Sequence, residues 1–560
     1  MKLRLPYNKA NYKEVIDDGC LYVDKTEYIE QIEEMLVRDA LFLRPRRFGK
    51  SLFLSMLNYY YDIAQKEHFD YLFKDTYIGK RPTNQANSYY ILNFDFSTID
   101  ASNKTRLQEN FNTHIKNMII SFKNRYHLNF DIEFTDSAGG NLETFLTLIN
   151  PLIDDNLIIL VDEYDHFTND ILSDKDYFDD ITSSDGFVRS FYTTIKSQRR
   201  LGCIAKVILT GVSAILLDSL TSGANNIINY SMYHRFNELF GFTRADILTL
   251  MDQLDISDKD ETLDDLTEKY NGYMFSKLAE GNRVFNSNLV NYYLSEYIEN
   301  GKPPATLEGT GIISDEQKIT SMLDLYTDTN SREQILTNII SNRKIEAGYM
   351  TSFKLGYEFT EDMFIYLLYY LGVLTIDSVR DDGFYFKVPN LVTSDVFYKT
   401  LKLYMERQYQ LNTTFYNETR DAIKEFIETK DLSKLNATFE RKFGNIPKEG
   451  FNDFNENTVQ VAYYIAFLEC KMIEARLEET TNNGRADLVL KHNHNRDIIE
   501  FKYLSNNRYT EKEFEKKKQD AFNKLNQYAS GYDGQINCYI IFFVGSKCEY
   551  YEHVNVENNS

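Results

Sequence analysis

The chain has 560 residues, of which 43% are hydrophobic and 26% charged, with 62 Lys and Arg against 84 Asp and Glu for a formal net charge of -22. Such a length exceeds one hydrophobic core and suggests roughly 3–4 domains. The acidic balance is a poor match to a protein that coats nucleic acid, because affinity there comes mainly from neutralising phosphates, although it is compatible with a nuclease whose basic surface is local.

Abundant aromatics (42 Tyr, 39 Phe) supply bulk for cores, and the low counts of Pro (8) and Gly (25) point to helix-rich structure with few open linkers. No stretch of ~18 apolar residues predicts a transmembrane helix, and Met1–Lys9 lacks the apolar core of a signal peptide. Cys20, Cys203, Cys470, Cys538 and Cys548 are scattered and never form a CxxC pair. That argues against a zinc site or a disulfide framework and suits a reducing compartment. The expected location is cytoplasmic, or nuclear in a eukaryote, and not secreted.

The first part of the chain alternates short apolar runs with helical patterns, as an α/β sheet does. Ala40–Leu43 reads as a strand and Ser51–Ala64 as a helix. Tyr90–Phe96 reads as a strand, followed by a helix over Lys104–Arg125. Leu157–Val161 is wholly apolar, as a central parallel strand is, and Ala205–Leu209 is another strand. From about Arg244 strands become rare: Leu248 to Glu299 reads as helical, Gly301–Glu316 as a loop, Phe364–Leu374 as an apolar helix and Phe384–Val388 as a short strand. Lys399–Asp431 is charged and helical, a candidate connector. The last part reads helix (Asn457–Ala475), strand (Ala486–Leu490), strand (Asp497–Tyr503), helix (Glu511–Ala529) and strand (Cys538–Val544). The tail, Asn555–Ser560, is expected to fray.

Arg44-Pro45-Arg46-Arg47-Phe48-Gly49-Lys50-Ser51 lies between a strand and a helix, the context of a GxxxxGK[ST] phosphate loop. Gly49, Lys50 and Ser51 fit that pattern, and Arg44 stands where the first Gly belongs. Lys50 would reach the β and γ oxygens, Ser51 would hold Mg²⁺, and Arg44, Arg46 and Arg47 could contact phosphate oxygens. A basic turn capping a helix is the plainer alternative. The run Leu157–Val161 ends in Asp162-Glu163, a Walker B pattern in which Asp162 holds the metal through water and Glu163 acts as general base. The succession of P-loop, strand, Asp-Glu strand and a strand ending in Thr210 fits NTPases that insert a strand between Walker A and Walker B. Thr210 would then sense the γ-phosphate. Arg235 is a candidate arginine finger, with a surface arginine the simpler reading. His166 and Asp165 could line the nucleotide site or serve only the loop.

Near the other end, Gly484-Arg485-Ala486-Asp487 opens one strand and Ile498-Ile499-Glu500-Phe501-Lys502 lies in the next, the D…ExK pattern of restriction-type nucleases. Strand alternation puts Glu500 and Lys502 on one face, with Asp487 able to join them. Two carboxylates there would hold Mg²⁺ or Mn²⁺, lowering the pKa of a bound water, and Lys502 would position that water or neutralise charge. Glu456 at the start of the preceding helix, or Glu478 after it, could supply a further acidic group. An edge hairpin with solvated charges is the bland alternative.

With those residues in hand, the chain resembles AAA-ATPase-like proteins that carry a C-terminal PD-(D/E)XK nuclease-superfamily domain. The resemblance rests on Tyr22-Val23-Asp24-Lys25-Thr26, the loop from Arg44 to Ser51, Val161-Asp162-Glu163-Tyr164-Asp165 and Thr210-Gly211-Val212-Ser213. It continues through Gly241-Phe242-Thr243, Tyr270-Asn271-Gly272-Tyr273, Gly484-Arg485-Ala486-Asp487-Leu488-Val489 and Ile499-Glu500-Phe501-Lys502. That family's P-loop typically begins with the arginine found at Arg44. One departure is a Gln, usual in the helix after the ExK strand, about where Lys524 lies; Gln527 is close but out of register. The resemblance implies an α/β chain in four parts: an AAA-like P-loop ATPase domain (1–245), a mainly helical, winged-helix-like middle region (246–400), a helical connector (401–450) and a restriction-endonuclease-like domain (451–560). It implies ATP and Mg²⁺ or Mn²⁺ as cofactors and nucleic acid, DNA above all, as a partner, with no membrane; a homo-oligomer is compatible with it. Two functions follow as expectations, an ATP-assisted nuclease of a defence or mobile-element system, or a nucleotide-dependent switch whose nuclease-like domain binds without cutting.

Overall fold

The computed structural model describes residues 3–100, 104–154, 156–166, 186–214, 227–279, 281–304, 306, 335–336, 338–339, 344–350, 360–446, 454–481, 484–492, 495–529 and 536–554. The chain divides into two compact units, one of Met1–Leu325 with Glu346–Val396 and one of Tyr326–Ile345 with Phe397–Ser560. The expected tail, Asn555–Ser560, lies outside the described residues, as does most of the loop expected at Gly301–Glu316.

The first unit is built on a five-stranded parallel sheet: β1 (Asp39–Leu43), β2 (Tyr90–Asp95), β3 (Leu157–Asp162), β4 (Ile204–Gly211) and β5 (Ile228–Asn229), in the order β2-β3-β4-β1-β5. The strand expected to intervene, Tyr90–Phe96, is the edge strand β2, and it is β4 that lies between the P-loop strand β1 and the Asp-Glu strand β3. Every residue of β1 and β3 is buried, which is why both are continuous apolar runs rather than alternating ones. Helices Lys50–Tyr61, Lys104–Arg125, Ala138–Ile153 and Phe187–Arg200 accompany the sheet. Tyr60 and Tyr61 are fully buried, so the Tyr59-Tyr60-Tyr61 run serves the core.

The helical pattern expected over Leu248–Glu299 resolves into three helices, Arg244–Gln253, Lys259–Tyr270 and Ser287–Asn300. They gather around Ile247, Leu250, Leu263, Leu266, Val290 and Leu294. The helix Glu361–Tyr370 covers a small sheet of β6 (Ile345–Gly348), β7 (Thr375–Val379) and β8 (Gly383–Lys387), ordered β6-β8-β7. Phe386 of β8 meets Tyr366 and Tyr369 of that helix at 5.4 and 5.5 Å between ring centroids.

The second unit holds a sheet of β9 (Glu474–Thr481), β10 (Gly484–His492), β11 (Asn495–Leu504), β12 (Ile536–Val544) and β13 (Lys547–Val554), in the order β13-β12-β11-β10-β9. Only the β11–β12 pairing is parallel, and the helix Glu511–Ala529 makes that crossover. Helix Glu456–Cys470 lies on the face that carries Phe501, with Tyr463 and Phe501 5.0 Å apart. The helices Thr413–Thr429 and Ser433–Phe443 pack into the same core: Phe439 stacks on Tyr463 at 3.8 Å and Phe426 meets Phe467 at 6.0 Å. Lys430, just past the first of them, donates to the fully buried Asp497 at 2.8 Å, whose other oxygen accepts from Asn537 at 2.6 Å. The stretch expected as a connector thus contributes side chains to this core.

Candidate nucleotide and metal sites

The loop from Arg44 to Gly49 leaves the end of β1 and turns into the helix Lys50–Tyr61. Gly49 sits at that helix's N-cap with φ +92°, and Arg47 has φ +70°. A left-handed residue at the N-cap turns the first backbone N–H groups of the helix toward the loop, the arrangement that binds phosphate. Lys50 is buried, and its ammonium donates to the loop carbonyls of Arg44 and Pro45 at 2.9 and 3.0 Å. Burial lowers its pKa, against the opposing pull of Glu163 and Asp162.

Asp162 ends β3 with its carboxylate facing the same loop. It accepts from the Thr210 hydroxyl at 2.5 Å and from the Glu163 N–H at 3.0 Å, and the Ser51 side chain also bonds it. Burial raises its carboxyl, and the Ser51 and Thr210 hydrogen bonds counter that. Glu163 has φ +48° and pairs with the His166 ring at 2.9 Å. That hydrogen bond, ahead of the opposing burial, holds the Glu163 carboxyl down at about 2. Tyr164 and Asp165 anchor the turn from behind. The Tyr164 hydroxyl donates to the Ser213 carbonyl at 2.6 Å, and Asp165 accepts from Val212 N–H, Ser213 N–H and the Ser213 hydroxyl. Gly211 is required here: a Cβ would lie 2.3 Å from the Tyr164 ring.

A cavity of about 450 Å³ opens over the loop, lined by Arg46, Arg47, Lys50, Ser51, Glu163 and His166 on one side. Its volume suits a small-molecule site. The opposite wall is the start of the helix Ser287–Asn300, together with the N-terminal segment. Asn288 N–H and the Ser287 hydroxyl donate to the Arg47 carbonyl at 3.2 and 3.3 Å. Asn8 and Asn288 exchange two hydrogen bonds, of 2.9 and 3.0 Å. Asn291 is 5% exposed, lines the cavity, and leaves Oδ1 without a hydrogen-bond partner. No motif marks these asparagines: Asn288 and Asn291 lie over 230 residues from the P-loop, Asn8 precedes it, and none follows a phosphate-binding spacing.

Arg44 corrects an expectation. Its guanidinium does not face the cavity; it is 1% exposed and donates to the carbonyls of Leu43, Ser231 and Phe236 at 2.8, 2.8 and 2.7 Å. The guanidinium also stacks 4.0 Å from the Phe275 ring centroid. Arg44, the first residue past β1, turns its side chain into the packing beside the strand, so it holds neighbouring segments rather than phosphate. Thr210 likewise does not line the cavity: it is fully buried and reaches Asp162 instead.

In the second unit β10 and β11 pair antiparallel with Leu488 opposite Ile499. One step further along that register puts Asp487 opposite Glu500. Glu500 and Lys502 alternate onto the same face, and all three side chains are buried, at 7, 0 and 3% exposed. Lys502 Nζ donates to Glu500 Oε1 at 2.7 Å and to the Phe501 carbonyl at 2.8 Å. Asp487 Oδ2 accepts from Phe501 N–H at 2.8 Å, while Glu500 Oε2 is buried with no partner. Burial first, then the Glu500 carboxylate, push the Asp487 carboxyl well above the usual range. For Lys502, burial favours the neutral amine, but Glu500, Glu456 and Asp487 override it and raise its pKa.

Two further groups enter. Glu456 accepts from Tyr503 N–H at 3.2 Å and lies 3.4 Å from Lys502 Nζ. It therefore braces the lysine and the strand; among the described residues no three Asp, Glu, His or Cys side chains converge closely enough to hold an ion by themselves. The second is Lys524, on the helix Glu511–Ala529, whose Nζ lies 3.2 Å from Glu500 Oε1.

Comparison with known proteins matches these two halves. Residues 6–221 match the family described as predicted AAA-ATPase, and residues 454–553 match the PD-(D/E)XK nuclease superfamily. The family assignment thus belongs to two regions of the chain, AAA-ATPase-like over 6–221 and PD-(D/E)XK nuclease-like over 454–553. The chain is 24% identical over 524 residues to an uncharacterised protein in the vnfD 5′ region of Azotobacter chroococcum mcd 1, covering 90% of this chain and 89% of that one. Among solved structures it is similar to the Walker-type ATPase PABY2304 of Pyrococcus abyssi, at 12% identity and a TM-score of 0.38, over 67% of this chain and 94% of that one. Among the described residues no helix is long and apolar enough to cross a membrane, and all five cysteines are free thiols.

Proposed function

We propose that the protein binds and hydrolyses ATP at the P-loop and that its C-terminal sheet cuts DNA phosphodiesters with a divalent metal, in a defence or mobile-element setting. The observation that carries the first half is the lining of one cavity of about 450 Å³ by Lys50, Ser51 and Glu163, with Asp162 hydrogen-bonded to Ser51. Lys50 compensates the β and γ charges, the Ser51–Asp162 pair fits a Mg²⁺ ion, and Glu163 orients the attacking water. His166 keeps Glu163 ionised, so its role is to polarise and place water rather than to carry a proton far. Asn291 offers a buried acceptor to a hydrogen-bond donor on the nucleotide.

The second half rests on the orphaned Glu500 Oε2 beside Asp487. Oxygen ligands of this kind suit Mg²⁺ or Mn²⁺, which keep several waters and accept one or two carboxylates. Asp487 and Glu500 would hold the ion, which when bound lowers the pKa of water and stabilises charge on phosphate. Lys502, fixed by Glu500 and Glu456, offers its remaining donor capacity to water or phosphate. One observation favours the alternative, a nucleotide-dependent switch that binds without cutting: Glu500 is already matched by two lysines. Plasmid nicking with Mn²⁺, with and without ATP, decides between them. Cutting lost in Lys502→Ala supports the nuclease, and no cutting under any nucleotide condition refutes it. Calorimetry tests the first half, where equal ATP affinity in wild type and Lys50→Ala would sink it.

A further inference from the structure

The helix Glu511–Ala529 covers the sheet face that holds Asp487, Glu500 and Lys502, and from it Lys524 reaches in. The two lysines near Glu500 differ in kind. The Lys502 side chain is 4% exposed and tied to Glu500, the Phe501 carbonyl and Glu456. The Lys524 side chain is 39% exposed, with Nζ 3.2 Å from Glu500 Oε1 and 3.8 Å from Asp520 on its own helix. Its long stem enters from the solvent side and can leave by the same route. Glu500, by contrast, is fixed: it is wholly buried and points a second, unpartnered oxygen into the site.

Two carboxylates, Asp487 and Glu500, thus meet two ammonium groups. Glu500 is flanked by both ammonium groups before any ion is added, while Glu456 also pairs with Lys502. A divalent cation arriving at Glu500 finds positive charge already in place, and like charges a few ångströms apart in a buried site repel strongly.

We propose that Lys524 is a resident counter-ion that competes with divalent metal at Glu500, and that a phosphodiester backbone draws it off, so that substrate and metal enter together. This deepens the metal-site reading and rests on it. Lys524 can play this part because it is the exposed one of the two: an arriving phosphate offers its ammonium a charge-assisted partner at the mouth. Each phosphate engaged removes the competitor from Glu500, so substrate and metal bind with positive coupling, and the coupling is reciprocal. Lys502 cannot do this, since it is locked on three acceptors behind the rim.

The test uses the full chain and Mn²⁺ alone as probe. Calorimetric titrations compare wild type, Lys524→Gln, Lys524→Arg and Asp487→Asn, and the double variant Asp487→Asn/Lys524→Gln identifies the signal belonging to this site. Gln keeps reach and hydrogen bonding while discarding the charge; Arg keeps the charge. Lys524→Gln should bind Mn²⁺ roughly tenfold tighter than wild type, Lys524→Arg should resemble wild type, and the double variant should lose the site. A phosphorothioate DNA duplex that resists cutting should tighten Mn²⁺ binding to wild type but change Lys524→Gln much less. Equal or weaker Mn²⁺ affinity in Lys524→Gln overturns the proposal while leaving the metal site standing, provided Asp487→Asn abolishes binding. Absence of Mn²⁺ binding in every variant overturns the proposal and the metal-site reading together. Circular dichroism on Lys524→Gln checks that the exposed substitution leaves the fold unchanged.

Discussion

Replacing Arg44 by Ala should unfold the first unit more readily without removing a phosphate contact. The guanidinium makes three hydrogen bonds to backbone carbonyls, each contributing about 1.5–3 kcal/mol for a charged donor. Against this stands the cost of burying the charge. Burial pushes the guanidinium down to about 10 from its ordinary 12.5, which corresponds to about 3 kcal/mol. Ala also leaves buried carbonyls without their donor and opens a cavity beside Phe275. The net loss should be about 3–5 kcal/mol. Guanidinium denaturation followed by circular dichroism measures it, and calorimetry at low temperature measures ATP affinity on the folded fraction. The denaturation midpoint should drop clearly while ATP affinity of the folded protein changes by less than about threefold, or about 0.7 kcal/mol. An unchanged midpoint with ATP affinity lost would show that the arginine serves phosphate after all.

Glu163 should make stability depend on acid. Its folded pKa of about 2 lies below the unfolded carboxylate value, so its contribution is complete above about pH 4.3 and disappears as pH falls toward 2. Acid unfolding curves of wild type and Glu163→Gln should therefore differ most at neutral pH and converge in strong acid; parallel curves would remove the His166 pairing from the account. Asn291→Leu should raise the stability of the nucleotide-free protein by about 1–2 kcal/mol, because it deletes a buried unpaired acceptor. The same change should weaken ATP binding, and tighter binding in calorimetry would refute a ligand-facing role. Lys430→Met should destabilise the second unit by about 2–4 kcal/mol, since Asp497 is wholly buried and keeps only Asn537. A melting temperature unchanged from wild type would show that the Thr413–Thr429 helix is not held by this pair.

The sheet strands were legible where burial is complete on both faces. β1, β3 and β12 hold continuous apolar runs, Ala40–Leu43, Leu157–Val161 and Cys538–Val544, a pattern shared by the buried helix at Met363–Tyr370. β9 and β13 were not legible, because an edge strand need be apolar on one face at most; Glu474–Thr481 and Lys547–Val554 read as charged, polar stretches. The Leu248–Glu299 pattern conceals two breaks because its helices share one core, and the second break, from Asn271 to Asn286, is itself rich in buried apolar residues. Around the P-loop, local spacing was enough to bring Lys50, Ser51, Asp162 and Glu163 to notice, because loop and strand end hold them by short-range geometry. Arg44 reads as a phosphate ligand from sequence alone, since its charge is visible there and its three carbonyl partners, two of them beyond residue 230, are not. Asn8, Asn288 and Asn291 reach the cavity only through tertiary folding. Lys524 stood out as a departure from the expected Gln, but only its distance to Glu500 gives that departure a physical meaning.

The strand β13 has a consequence for handling the protein. Its partner β12 is buried from Cys538 to Val544, a run of Cys, Tyr, Ile, Ile, Phe, Phe and Val with no charge and no Pro. β13 is half-exposed, carries Lys547, Glu549, Glu552 and His553, and closes that side of the sheet. A chain cut after Val544 would keep Asp487, Glu500 and Lys502, yet it would bare a long apolar edge with a full row of unpaired N–H and C=O groups. Such edges template the addition of strands from other molecules and are the common origin of aggregates. The polar terminal strand is thus a solubility device: shortening the protein there should cost yield and monodispersity before it costs any chemistry.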